Sequence, residues 1–170
     1  MSSITPFQAI RLTHNVLLKQ LITKGRLIGI TIIGLLPILL GWVIGRQSDD
    51  PLEAGVGFIS YMGLSILIPI VALIFASASL GDTREDGTLV YLWLRPISRL
   101  SVSTGAWAAS ITIALPLTVI PITISAILLD TGNSVVTATI ITSILAVLAY
   151  SGLFVTLGLI VKNPVLWGLA

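Results

Sequence analysis

Apolar residues fill four long segments of the chain, and charged residues are confined to the stretches around them. The uncharged runs are Leu27–Gly45, Ala54–Gly81, Leu100–Leu129 and Thr131–Val161, with 19, 28, 30 and 31 residues. A helix of about 20 apolar residues crosses the hydrocarbon core of a bilayer, and it satisfies its own backbone hydrogen bonds there. The pattern therefore predicts four transmembrane helices, at about 27–45, 56–80, 102–129 and 135–161.

Residues 4–24 are too polar to span a membrane and follow a helical pattern instead. Arg11, Asn15 and Lys19 repeat every four residues on one face. The apolar residues that fall near another face are Phe7, Ile10, Leu17, Leu18 and Leu21. This pattern predicts an amphipathic helix at the inner membrane interface. The alternative is a cytoplasmic lead-in without a functional contact.

The residues after the fourth run predict a turn at Asn163-Pro164 and a new apolar stretch at Val165–Ala170. This stretch has the pattern of the start of a fifth span, so we expect either that the chain ends early or that the protein is unusually short. The expected fold is an all-α membrane protein in one transmembrane domain, residues 1–170. It is a helical bundle with an interfacial helix, four spanning helices and the start of a fifth.

Composition agrees with a membrane protein. Hydrophobic residues make up 55% of the chain and charged residues only 9%, whereas soluble domains carry about 25% charged residues. Cysteine is absent, which excludes disulfides, thiolate metal sites and a cysteine nucleophile.

Basic residues are distributed unequally between the two sides of the predicted spans. One side holds Arg11, Lys19, Lys24, Arg26, Arg84, Arg95, Arg99 and Lys162, and the other holds only Arg46. Cytoplasmic loops carry the excess of basic residues. The asymmetry predicts a cytoplasmic N-terminus and a cytoplasmic loop at 81–99.

Candidate catalytic chemistry is sparse. The chain has no Walker loop, no His-x-x-x-His pair and no Gly-x-Ser-x-Gly elbow, and His14 is its single histidine. Asp82, Glu85 and Asp86 lie close together in the sequence, but nearby arginines favour ion pairing over a metal site. We therefore expect a protein that is not an enzyme, with no catalytic, cofactor-binding or metal-binding residue of its own.

Two weaker patterns occur inside the spans. Gly41 and Gly45 have the Gly-x-x-x-Gly spacing that lets another helix approach closely. Hydroxyl residues could line a polar path, or they could bond to the backbone of their own helix. These residues are Ser65, Thr112, Thr118, Thr123, Ser125, Thr142 and Ser143.

The segment GDTREDGTLVYLWLRPISR, Gly81–Arg99, combines charges with an apolar centre. Thr88 is a suitable N-cap for a short helix, and Pro96 disfavours helical structure at Arg95. In that helix Leu89, Leu92 and Trp93 share one face. An apolar face on a cytoplasmic loop fits either the inner leaflet or a groove on a partner protein. The pattern alone does not distinguish the two.

The series Glu85-Asp-Gly87-Thr88-Leu89…Leu92…Arg95-Pro96…Ser98-Arg99 resembles the E-x-G-T-L-x-x-L-x-x-R-P-x-S/T-R stretch of type-2 ABC transporter permeases, the membrane subunits of ATP-driven exporters. The order of elements is also similar: an amphipathic helix, a short first outer loop, and this motif between the second and third spans. The family usually has six spans, and this sequence has four and the start of a fifth.

The resemblance implies that Thr88–Leu94 is a coupling helix that docks on a separate ATPase subunit. Leu89, Leu92 and Trp93 would be its apolar anchors, and Glu85, Arg95 and Arg99 would orient it through charge pairs. Gly87, Thr88 and Pro96 complete the motif.

The partners that the resemblance implies are two ABC ATPase subunits, which bind ATP and Mg, and a second copy of this permease or a related one. Membrane lipid surrounds the chain, and no nucleic acid is expected. The expected location is a cell membrane, in a prokaryote the plasma membrane. The alternative function is a non-transporting membrane anchor or scaffold for a cytoplasmic partner.

Overall fold

A computed structural model describes residues 5–85 and 99–160, and these two ranges are helical without any strand. The helices are α1 (Pro6–Leu21), α2 (Lys24–Gln47), α3 (Pro51–Phe58), a π-helix (Ile59–Leu67), α4 (Ile68–Glu85), α5 (Arg99–Leu128) and α6 (Asn133–Ile160). The segments long and apolar enough to cross a membrane are Lys24–Gln47, Pro51–Ser79, Leu100–Leu128 and Asn133–Gly158. The predicted all-α fold with four such helices is confirmed.

Helix α1 begins with a capping box. The Thr5 hydroxyl accepts a hydrogen bond from the Gln8 amide, and Gln8 Oε1 accepts one from the Thr5 amide. This arrangement satisfies two backbone donors that an uncapped helix would leave free. Pro6 occupies the first turn, where its missing amide hydrogen costs nothing.

The buried face of α1 differs from the predicted apolar face. It consists of Ala9, Thr13, Leu17 and Leu21, whereas the predicted face included Phe7, which is 74% exposed. The small side chains of Ala9 and Thr13 explain why the buried face lies away from Phe7, because they allow closer packing than its phenyl ring would. Two of the predicted residues, Leu17 and Leu21, are buried as expected.

Short turns join the spanning helices. Asp50 caps α3, since its Oδ1 accepts hydrogen bonds from the amides of Leu52 at 3.1 Å and Glu53 at 3.2 Å. Between α5 and α6, Asp130 has φ 54° and Gly132 has φ 85°. Aspartate tolerates this left-handed region and glycine adopts it without strain.

The second span contains a π-helix, Ile59–Leu67, which the sequence pattern did not predict. The Ile68 amide donates to the Gly63 carbonyl, five residues earlier. Pro69 follows directly, and it has no amide hydrogen to offer the Ser65 carbonyl and clashes with it in regular helix. A wider turn before Pro69 relieves that clash. Helix α4 continues to Glu85, so the first residues of the segment 81–99 are helical.

The chain forms two compact units. The first is drawn from Met1–Thr23, Ala72–Ile113 and Tyr150–Ala170. In this unit α1 packs on α5, where a Cβ placed on Gly105 would lie 2.8 Å from Thr13 Cβ. Helix α6 packs on α4 in the same way, because a Cβ on Gly158 would lie 2.9 Å from the Ser77 carbonyl oxygen.

The second unit is drawn from Lys24–Val71 and Ala114–Ala149. A line of glycines on α2 meets α5 in this unit. A Cβ on Gly41 would lie 3.1 Å from Ser125 Cβ, and a Cβ on Gly45 would lie 2.5 Å from the Leu128 carbonyl oxygen. Real Cβ atoms do not approach a carbonyl this closely, so the close helix approach predicted for Gly41 and Gly45 is confirmed.

The close contact between α2 and α5 at Gly45 leads to a testable prediction. Gly45→Ala should lower the free energy of unfolding by about 1–3 kcal/mol, because the added methyl group overpacks a backbone contact. The matched control is Gly29→Ala on the same helix, where a Cβ meets nothing within 4 Å. The control should be neutral or slightly stabilising, since alanine favours helix over glycine.

Thermal unfolding of the two variants in the same detergent measures the difference. Equal melting temperatures for Gly45→Ala and Gly29→Ala would contradict the close contact between α2 and α5.

Candidate functional site

The predicted coupling segment lies mostly outside the described residues. The predicted site residues that lie outside the described ranges are Gly87, Thr88, Leu89, Leu92, Trp93, Arg95 and Pro96. Glu85 is the last residue of α4 and Arg99 is the first residue of α5. The structure thus gives the two helix ends that frame the segment, and the role of the segment stays a prediction.

Helix α4 approaches the segment from a densely packed environment. Ala72, Phe75, Ala76 and Ser79 are at most 1% exposed, and Phe75 is among the largest fully buried side chains of the described residues. The small residues of the ASAS sequence allow this packing, since α6 meets the α4 backbone at Ser77. This part of α4, Ala72–Ser79, is therefore enclosed by neighbouring helices.

Helix α5 begins on the other side of the segment and is held by α1. His14 Nε2 lies 3.1 Å from Thr112 Oγ1. The Thr112 hydroxyl donates its own hydrogen to the Ala108 carbonyl at 2.8 Å, so it accepts a hydrogen bond from the ring. Together with the Thr13–Gly105 contact, this bond ties α1 to the first half of α5.

The sequence pattern did not predict the His14–Thr112 pair. The two residues are 98 positions apart, so no local pattern connects them. A signal does exist on α5, where Gly105 and Thr112 are seven residues apart and therefore share a face.

The structure resolves the two alternatives for the hydroxyl groups in the spans. Five of the seven donate to carbonyls of their own helix: Ser65 to Ser60, Thr112 to Ala108, Thr118 to Ala114, Ser125 to Pro121 and Thr142 to Ala138. Thr123 Oγ1 and Ser143 Oγ are buried and have no hydrogen-bond partner among the described residues. Most of these hydroxyls therefore serve the helix backbone, and two retain a free donor.

A groove of about 340 Å³ runs along the second unit beside the π-helix. Its polar lining comes from the hydroxyls of Ser60, Ser134, Thr139 and Thr142, and no charged residue is among its described lining. Hydroxyls that donate to their own helix still accept hydrogen bonds. The groove thus suits an uncharged, largely apolar molecule. Within residues 5–85 and 99–160, no three histidine or carboxylate side chains form a cluster that could hold a metal ion.

The unpartnered Ser143 hydroxyl leads to a second prediction. Ser143→Ala should leave the melting temperature unchanged or raise it, because a buried hydroxyl without a partner costs about 1–3 kcal/mol. The matched control is Ser125→Ala, which removes a hydroxyl that donates to Pro121 at 2.8 Å and should not stabilise the protein.

Both variants are measured by thermal unfolding in one detergent. A clear destabilisation by Ser143→Ala alone would show that the hydroxyl has a partner and would refute this assignment.

No protein-family model, no curated protein and no solved structure matches this chain. Function must therefore be argued from the residues themselves.

Proposed function

We propose that the chain is the membrane-spanning permease subunit of an ABC exporter, without catalytic residues of its own. The observation that carries this proposal is the motif from Glu85 to Arg99, placed between the second and third of four membrane-spanning helices. A soluble ATPase needs a contact point on such a subunit. A cytoplasmic loop with a short apolar helix provides one.

The coupling step follows from the helices that frame the segment. Leu89, Leu92 and Trp93 insert in a groove on the ATPase, while Arg95 and Arg99 pair with its carboxylates. Two ATPase subunits bind ATP and Mg and close on each other. The displacement enters α4 and α5, and the buried packing of α4 around Phe75 supports its transmission as a rigid element.

The transport pathway requires two permease subunits, either two copies of this chain or this chain and a related one. The four uncharged runs contain no ionisable residue, although ion pathways usually contain one. The hydroxyls of Thr123 and Ser143 and the uncharged groove beside the π-helix offer hydrogen bonds without charge. These features favour an apolar or amphiphilic cargo.

The proposed orientation places both the N-terminus and the coupling segment in the cytoplasm of a prokaryotic cell. The excess of basic residues on that side supports it. At the opposite end of the first span, the Arg46 guanidinium lies 4.1 Å from the centroid of the Trp42 ring. Such a cation–π pair suits the outer membrane interface, where tryptophan and arginine are both favourable.

A third prediction tests the apolar anchors Leu89, Leu92 and Trp93. Leu92→Asp should abolish co-purification of the ATPase subunit, because a charge in an apolar groove is costly. The matched control is Tyr91→Asp, which places the same charge on the opposite face of the short helix and should retain the complex.

The measurement is affinity purification of the tagged chain from native membranes, followed by an ATPase assay. If the wild-type chain brings no ATPase with it, or if Leu92→Asp leaves the ATPase activity of the complex unchanged, the chain is an anchor or scaffold instead.

A fourth prediction tests the charge pairs of Arg95 and Arg99. The double variant Arg95→Glu and Arg99→Glu should uncouple ATP turnover from transport or weaken docking at least tenfold, since each charge-assisted hydrogen bond becomes a repulsion. Transport and ATP hydrolysis are measured together in proteoliposomes. Normal assembly with normal export would contradict the assigned roles.

A further inference from the structure

The exposed side of α1 carries a group of hydrogen-bond donors. Gln8, Arg11 and Asn15, with Leu12 beside them, line a surface cavity of about 420 Å³ in the first unit. Residues 8, 11 and 15 follow the three- and four-residue spacing of one helical face. The three polar side chains therefore point to the same place.

The amide of Gln8 has its oxygen occupied by the helix. Gln8 Oε1 accepts a hydrogen bond from the Thr5 amide at 3.2 Å, and a backbone amide can only donate. The NH₂ group of Gln8 therefore remains free to donate. The side-chain amide of Asn15 lies 3.2 Å from His14 Nδ1 and adds polar surface to the cavity.

Arg11 makes this donor set positively charged. No described residue forms an ion pair with its guanidinium or accepts a hydrogen bond from it. The first 48 residues of the chain contain no aspartate or glutamate, so the local sequence supplies no competing anion. A free amide donor and a guanidinium at one cavity are groups that bind phosphate oxygens.

Apolar side chains flank the cavity and indicate where the phosphate comes from. Leu12 belongs to the lining, and Phe7 and Val16 on the same helix are 74% and 58% exposed. Exposed aromatic and aliphatic residues beside basic ones are typical of helices at a membrane interface. A water-soluble phosphate would gain nothing from these side chains, whereas a lipid would bury them.

We propose that Gln8, Arg11 and Asn15 form a binding site for the headgroup phosphate of an anionic phospholipid. The Arg11 guanidinium and the Gln8 NH₂ group bind the phosphate oxygens, and Asn15 completes the polar lining. Leu12, Phe7 and Val16 contact the glycerol and upper acyl region. This site is independent of the proposed transport function, since it requires neither an ATPase nor the coupling segment.

The side-chain geometry allows substitutions that remove a donor without removing a cap. Gln8→Glu retains the oxygen that accepts from Thr5, because glutamate also serves in a capping box, but it replaces the NH₂ group with a negative charge. Arg11→Gln removes the positive charge from the cavity. The matched control is Lys19→Gln, which removes one positive charge from the same helix outside the cavity lining.

The experiment is native mass spectrometry of the delipidated full-length chain in detergent, titrated with dioleoylphosphatidylglycerol. The dissociation constant of the first bound lipid should rise about fivefold in Arg11→Gln, because the variant loses a charge-assisted hydrogen bond to the phosphate. Gln8→Glu should weaken binding at least as much. Lys19→Gln should change the constant less than twofold, and all variants should keep the wild-type melting temperature.

Two further titrations identify the source of the phosphate. Dioleoylphosphatidylcholine should bind several-fold more weakly than the anionic lipid, and millimolar glycerol phosphate should not displace it. Displacement by glycerol phosphate would mark a site for a soluble phosphate and overturn the lipid assignment. Equal losses in Arg11→Gln and Lys19→Gln, or unchanged binding in Gln8→Glu, would overturn the site itself.

Discussion

The structure depends on the requirement that backbone polar groups in hydrocarbon find partners within the protein. A helix meets this requirement with its own backbone hydrogen bonds. Helices in the membrane then associate through tight packing of their surfaces. Backbone therefore meets backbone where side chains are smallest, at Gly45 against Leu128 and at Gly158 against Ser77. The same requirement explains the π-helix, because Pro69 removes a donor and the preceding turn widens around it.

These contacts determine how the proposed coupling segment is presented. Helix α4 is packed around Phe75, and α5 is tied to α1 through Thr13 and His14. In the proposed coupling step, a force applied between Glu85 and Arg99 would act on these two packed helices. That arrangement suits a subunit that receives mechanical work. It also places α1, with its exposed donors, beside α5.

Periodic signals made the helices predictable, whereas long-range packing made other features unpredictable. The four spans followed from uninterrupted apolar runs. The buried face of α1 depends on Gly105, 92 positions after Thr13, and the sequence pattern favoured Phe7 instead. For the candidate site, the sequence supplied the motif and its chemistry, while the framing by α4 and α5 required the three-dimensional packing.

The central claim is that Leu92 contacts an ATPase subunit, and site-specific photocrosslinking tests it most directly. The chain has no cysteine, so Leu92→Cys introduces a unique attachment point for a benzophenone maleimide. Irradiation in native membranes should yield an adduct with a Walker-loop ATPase, identified by mass spectrometry, and Tyr91→Cys should yield much less of it. Adducts with lipid alone, or equal adducts from both positions, would contradict the account.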